Sequence, residues 1–332
     1  MKNMKKWISV ILCAALALTS MIALAEAEDE IKVALCISNT LGDRGFFDSA
    51  YEGLRLLEAD YGIVGNVVEC KSDASMYQPV LVEAAESNDI VIAVGWEFWD
   101  AMTAIVPEMP DTLFVFIDNG LDGVGENLLS VTYAENQGSF LAGYIAMKKS
   151  PKATVGVVGG EDSDTINNFI VGYKQGALYA NPEGTVLDPI YTNDYEAPDK
   201  GKEAAMTLYS KGADIVFQVA GKTGLGVFEA AAETGNFAIG VDSDQKYLNP
   251  EVIICSMIKD IGKSIYSVVS MYLSDGVFEG GTIWDADMST EFINVTYGEE
   301  TVMQQVSPEL KAEVEALKDK IISGEIVVES TR

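Results

Sequence analysis

Three aspartates stand where an apolar run meets a turn or a helix, and carboxylates so placed can accept paired hydrogen bonds from vicinal hydroxyls or ring N–H groups. Asp118 and Asp242 each end an apolar run, and Asp43 precedes a helical pattern. The competing use of each is a helix cap or turn residue. Aromatic side chains accompany them. Phe46 lies just off the apolar stripe Phe47, Tyr51 and Leu54, free to stack on a flat ligand unless it staples its own helix. Tyr195, in the loop Thr192-Asn193-Asp194-Tyr195, can supply the opposite face, and Trp96, after the run ending at Gly95, is a third aromatic candidate. Lys259 also follows an apolar run and can hydrogen-bond a ligand hydroxyl, although a surface lysine is the default in isolation. Asn39, between the first apolar run and Asp43, joins the ligand-binding candidates.

The turn Gly221-Lys222-Thr223-Gly224 invites a nucleotide reading and fails it. A phosphate loop needs glycine at the position held by Val216, and a dinucleotide fingerprint needs its third glycine where Glu229 stands. What remains is a helix N-terminus whose backbone N–H groups at Gly221 suit uncharged ligand oxygens. No metal-binding run such as Asp-x-Asp-x-Asp is present, and no cofactor or catalytic residue is expected. The chain has no histidine, which removes Ser–His–Asp hydrolysis, Cys–His catalysis and imidazole-bound zinc together. A formal charge of −29 argues against a nucleic-acid polymer, whose phosphates require clustered cations. An acidic, solvated surface that resists aggregation explains it.

These residues must be carried by a framework, and the hydropathy pattern describes one. Residues 1–25 read as a secretory signal: Lys2, Lys5 and Lys6, an apolar run from Trp7 to Ala23, then Ala23-Leu24-Ala25 before Glu26. Cys13 is not a lipid-attachment site, because no small residue precedes it and the apolar run continues beyond it. Cys36, Cys70 and Cys255 read as small buried hydrophobes. Two sets of five apolar runs follow, separated by helical patterns: Ile31–Ile37, Asn66–Cys70, Asp89–Gly95, Leu113–Asp118 and Leu128–Tyr133, then Thr154–Gly160, Val186–Tyr191, Ile215–Ala220, Ala238–Asp242 and Val252–Ile258. Near-continuous apolar strands alternating with helices indicate α/β architecture with parallel sheets covered on both faces. The length favours two lobes. Ser307-Pro308-Glu309 opens a last amphipathic helix, Gly324 closes it, and Ile326-Val327-Val328 reads as a short terminal strand.

The chain resembles the basic membrane protein family, the purine-nucleoside receptor type of ABC-transporter substrate-binding protein. The matching motifs are Gly42-Asp43-Arg44-Gly45-Phe46, Phe140-Leu141-Ala142-Gly143-Tyr144, Val155-Gly156-Val157-Val158-Gly159-Gly160, Phe169 with Gly172-Tyr173, the run from Phe217 to Val227 with Ile239 to Gln245, and Ser256-Met257-Ile258-Lys259. The resemblance implies a type I periplasmic-binding-protein fold: two doubly wound Rossmann-like lobes joined by a three-segment hinge, with a nucleoside in the cleft. The expected lobes are residues 26–134 with about 260–282, and 135–259 with about 283–332. It also implies base stacking on Phe46 with a second aromatic near Tyr195, contacts to base or ribose from Asp118 and Asp242, help from Lys259, and pocket backbone near Gly221. Four positions depart from the family pattern. Asp43 stands alone where two aspartates are usual, Phe47 replaces an asparagine, Lys222 replaces a glycine, and the lipid-anchoring cysteine is missing.

The expected function is therefore that of a secreted, extracytoplasmic solute-binding protein, monomeric and not an enzyme. It would deliver a purine nucleoside to ABC permease subunits. A sugar or small-signal receptor on the same fold shares the carboxylates but needs less aromatic surface. A nucleoside hydrolase using Asp43, Asp118 and Asp242 is the enzyme alternative, against which stands the wide spacing of those residues.

Overall fold

A computed structural model describes residues 30–331, so the export signal expected over 1–25, with Cys13, lies outside the described residues. Six strands form the first sheet: β1 (Lys32–Ile37), β2 (Val64–Glu69), β3 (Ile90–Val94), β4 (Leu113–Ile117), β5 (Leu128–Tyr133) and β12 (Thr282–Ala286), all parallel, in the order β12-β5-β4-β3-β1-β2. The second sheet contains β6 (Thr154–Gly159), β7 (Thr185–Val186), β8 (Ile190–Tyr191), β9 (Ile215–Val219), β10 (Phe237–Asp242), β11 (Ile253–Lys259) and β13 (Ile293–Thr296), in the order β13-β11-β10-β9-β6-β7, with β8 also on β6. Only β13 runs antiparallel to its neighbour among these described strands.

Both faces of each sheet are covered, which is why the strands are apolar at nearly every position. Val33, Leu35 and Ile37 of β1 enter one core cluster while Ala34 and Cys36 enter another. In β9, Ile215, Phe217 and Val219 divide from Val216 in the same way. The three described cysteines are free and buried in these layers, and burial pushes the Cys36 thiol up to about 12.

Helices α1 (Phe46–Tyr61), α2 (Tyr77–Ser87) and α3 (Trp99–Ile105) cover the first sheet. The second carries α4 (Glu135–Lys149), α5 (Asp164–Ala180), α6 (Pro198–Ser210) and α7 (Leu225–Thr234). Then α8 (Ile261–Asp275) returns to pack on α1, and α9 (Pro308–Ile322) packs on α4. The start of α9 follows its sequence signals: the Ser307 hydroxyl accepts from the Leu310 N–H, and Pro308 occupies the first turn.

The chain passes between the sheets three times, after β5, after β11 and after β12. The third passage falls beyond Ala286 rather than near 282, because Thr282–Ala286 pair with Leu129–Tyr133. Three further expectations need correction. The run Val186–Tyr191 is not one strand: its ends pair separately with β6 as β7 and β8. The two sets of five strands become six and seven, since β12 and β13 extend the sheets and the run Val186–Tyr191 counts as two strands. Ile326-Val327-Val328 forms no strand. Side-chain amides hold it instead: Gln175 Nε2 donates to the Val327 carbonyl at 3.0 Å, and Asn136 Nδ2 to that of Val328 at 3.3 Å.

Strand order places the crevices. In the first sheet β1 lies between β2 and β3, so successive connections leave it in opposite directions; β6, between β7 and β9, does the same in the second. Open α/β sheets hold ligands at the carboxyl ends of strands at such switch points. Here the two sets of strand ends face one another.

Candidate functional site

Between those strand ends lies a cavity whose empty space is about 720 Å³, including the part open to solvent. All nine candidate residues line it. From the first lobe come Asn39, Asp43 and Phe46 after β1, Trp96 after β3 and Asp118 after β4; from the second come Tyr195 after β8, Gly221 after β9, and Asp242 and Lys259 at the ends of β10 and β11.

Lys259 is the electrostatic centre. It is 2 % exposed, unlike the surface lysine that is the default in isolation. Its ammonium pairs with Asp118 at 2.8 Å across the cleft. It also lies 4.9 Å from the centroid of Phe46, 5.1 Å from Phe169 and 5.4 Å from Tyr133, a cation–π cage drawn from both lobes. Burial alone would push this ammonium down. Asp118, Glu135 and Asp242 outweigh it and hold the group above its usual value.

Asp118 and Asp242 occupy matching places in their sheets, at the ends of β4 and β10, and both adopt the left-handed region, with φ of 78° and 66°. Aspartate tolerates that region better than most residues, and such backbone clusters at functional sites. Burial pushes the Asp242 carboxyl up to about 7, against the pull of Lys259, with Asp43 and Asp118 adding to the rise. Asp43 sits at about 6 for the same first reason. Its oxygens accept from the N–H groups of Gly45, Phe47 and Asp48, so it fastens the loop entering α1 while lining the cavity. It serves as the cap that competed with its binding role in sequence, in the same place as the site.

The aromatics are set by close backbone. A Cβ on Gly160 would come within 2.0 Å of the Tyr195 ring, so a side chain there would displace that ring. Opposite, Phe46 is the first residue of α1 and packs edge-on against Phe47 at 5.0 Å. Trp96 is 44 % exposed at the rim. The turn at Gly221 is less open than expected: the Thr223 N–H already donates to the Tyr195 carbonyl at 3.1 Å.

Sequence reasoning missed several contributors. Phe169, marked in sequence only by the family motif it shares with Gly172-Tyr173, enters from α5 and lines the cavity beside Ile166. Glu97 and Glu196 adjoin named candidates in sequence. Gln245 holds the lobes together: its Nε2 donates to the Arg44 carbonyl at 3.0 Å, while its Oε1 accepts from Gln218 and from the Val241 N–H. The Ser243 hydroxyl donates to the Gly45 carbonyl and the Thr40 hydroxyl to Glu196, so the cleft is closed.

Comparison with known proteins agrees with this geometry. The family model for ABC transporter substrate-binding proteins of the PnrA-like type, Bmp, matches residues 30–332. Basic membrane protein A of Borreliella afzelii is 31% identical over 301 residues, covering 90% of this chain and 91% of that protein. A solute-binding protein of an ABC transporter system from Aeropyrum pernix K1 superposes with a TM-score of 0.79 at 23% identity, covering 90% of this chain and 94% of the other. One from Conexibacter woesei gives 0.73 at 25% identity, covering 91% and 99%. The chain belongs to the Bmp family of PnrA-like ABC transporter substrate-binding proteins. Its fold is the type I solute-binding fold, and its partners are a small-molecule ligand and the permease of a transporter. Among the described residues no helix is long and apolar enough to cross a membrane.

Proposed function

We propose that the protein captures a purine nucleoside in the interlobe cavity, as a monomer outside the cytoplasmic membrane, and hands it to an ABC importer. The observation that carries this reading is the convergence of two chemistries on one cavity. Asp118, Asp242 and Lys259 can accept from and donate to neighbouring ribose hydroxyls. The rings of Phe46, Tyr195 and Trp96 line the same cavity and offer area for a flat base. A free sugar would share the carboxylates but need less of the aromatic surface. The carboxylates recover their hydration through those hydroxyl bonds, as a binding site requires. No covalent step is proposed.

Thermal unfolding with guanosine, inosine, adenosine, ribose and galactose tests the reading, since a ligand bound only by the folded state raises the melting temperature by mass action. At 100 times Kd the stabilisation is about 2.7 kcal/mol. The nucleosides should shift the curve. A shift with sugars alone would overturn the base-stacking role. Catalytic release of hypoxanthine from inosine would overturn the non-enzymatic one.

A further inference from the structure

A second cavity adjoins the first, with about 1560 Å³ of empty space including its open mouth, and shares Asn39, Trp96, Glu97, Tyr195 and Glu196 with it. Its walls are acidic and aromatic. Glu97 and Asp100 come from the first lobe and Glu161 from the second. Glu196 is paired with Lys222 and Asp194 with Lys200, but among the described residues Glu97, Asp100 and Glu161 have no ion-pair partner. Lys71 lines the rim, exposed and unpaired with them.

Closure brings Glu97 and Glu161 to one space from opposite lobes, and their charges oppose one another. Burial first, and then Asp118 and Glu161, hold the Glu97 carboxyl above its usual range. Asn39 supplies an independent sign of an absent partner. It is 4 % exposed, it lines both cavities, and its Oδ1 has no hydrogen-bond donor. A buried acceptor left unmet costs about 1–3 kcal/mol. Acceptors, carboxylates and aromatic faces together make the environment in which an organic cation is held.

We infer that this vestibule is a subsite for an ammonium group, held between Glu97 and Glu161 beside Trp96 and the Asn39 carbonyl. The ammonium is carried either on the ligand of the main cavity or by a separate amine, and it rests on the nucleoside reading only in the first case. A cation there offsets the repulsion between the two carboxylates that closure brings together. It thereby links occupancy of the vestibule to the closed form.

Calorimetric titration of the full chain tests the inference with three probes: N6-(2-aminoethyl)adenosine, its neutral N6-(2-hydroxyethyl) counterpart, and agmatine alone. The aminoethyl compound should bind at least about tenfold more tightly than the neutral one, or agmatine should bind saturably. Either effect should vanish in Glu161→Gln and in Glu97→Gln. Because Glu161 lines only the vestibule, Glu161→Gln should bind the neutral compound within about threefold of the unaltered protein. Equal affinities for the adenosine pair together with no agmatine binding would overturn the subsite, as would an advantage that survives both substitutions. Agmatine binding lost in the variants, with neither adenosine compound bound, would keep the subsite and sink the nucleoside reading.

Discussion

The two lobes are built alike and equipped differently. Each brings a strand end with a left-handed aspartate to the cleft, Asp118 on β4 and Asp242 on β10. The next strand in each sheet diverges: β5 ends in Tyr133 and β11 in Lys259, and the Lys259 ammonium lies over the Tyr133 ring. Matching positions therefore hold a ring on one side and a cation on the other. The only buried cation of the described cavity belongs to the second lobe, and its hydrogen-bonded acid, Asp118, to the first. The Asp118–Lys259 pair forms only where the lobes meet. Pseudo-symmetry supplies the places, and the departures from it supply the binding.

Changes that erase this division should have the largest effects. Lys259→Met leaves Asp118 and Asp242 facing an apolar side chain. Removing one partner of a buried pair costs about 3–5 kcal/mol, so thermal unfolding should show a large fall and nucleoside binding should disappear. Converting Phe46 to alanine removes the first lobe's stacking face. Kd should rise by roughly thirtyfold, about 2 kcal/mol, with unfolding of the ligand-free protein much less affected.

Asp242 offers a pH test of intermediate size. Its carboxyl titrates near 3.8 when unfolded and at about 7 in the fold, so the unfolded chain releases its proton first. Its contribution to stability is therefore favourable below 3.8, falls as pH rises between 3.8 and 7, and is lost above. Asp43 acts in the same direction up to about 6. Ligand hydroxyls that donate to Asp242 favour its ionised form, in the presence of Lys259, Asp43, Asp118 and Glu135 around it. Affinity should consequently increase with pH below about 7, by at most about tenfold per pH unit for one proton. Asp242→Asn should flatten that dependence, and an undiminished slope in the variant would assign it elsewhere.

The smallest effect sets a control away from the cleft. Ser307→Ala removes the cap of α9 and should lower unfolding stability by about 1 kcal/mol without moving Kd.

Much of the framework is legible because burial on both sheet faces leaves apolar runs such as Val33–Ile37 with no polar break. The candidates at strand ends were legible for a related reason: an apolar run that stops at a charged or aromatic residue marks where the chain leaves the sheet. Lys259 misleads in isolation because only the opposite lobe supplies the acid and rings that allow it to be buried. Phe169 reads as ordinary helix core, and nothing local tells that its face turns to a cleft. Gln245 is silent for the same reason, since its partner Arg44 is about two hundred residues away in sequence. Ile326-Val327-Val328 has strand composition, but amides from α4 and α5 meet its backbone first.

The most direct test is the mass of the complex formed when ligand-free protein is offered an equimolar mixture of purine nucleosides, ribose and galactose, read by native mass spectrometry. One nucleoside bound per chain is the expected mass, diminished by Phe46→Ala and absent in Lys259→Met. A sugar adduct, or no adduct from the mixture, would contradict a cleft built to stack a base and hold its ribose.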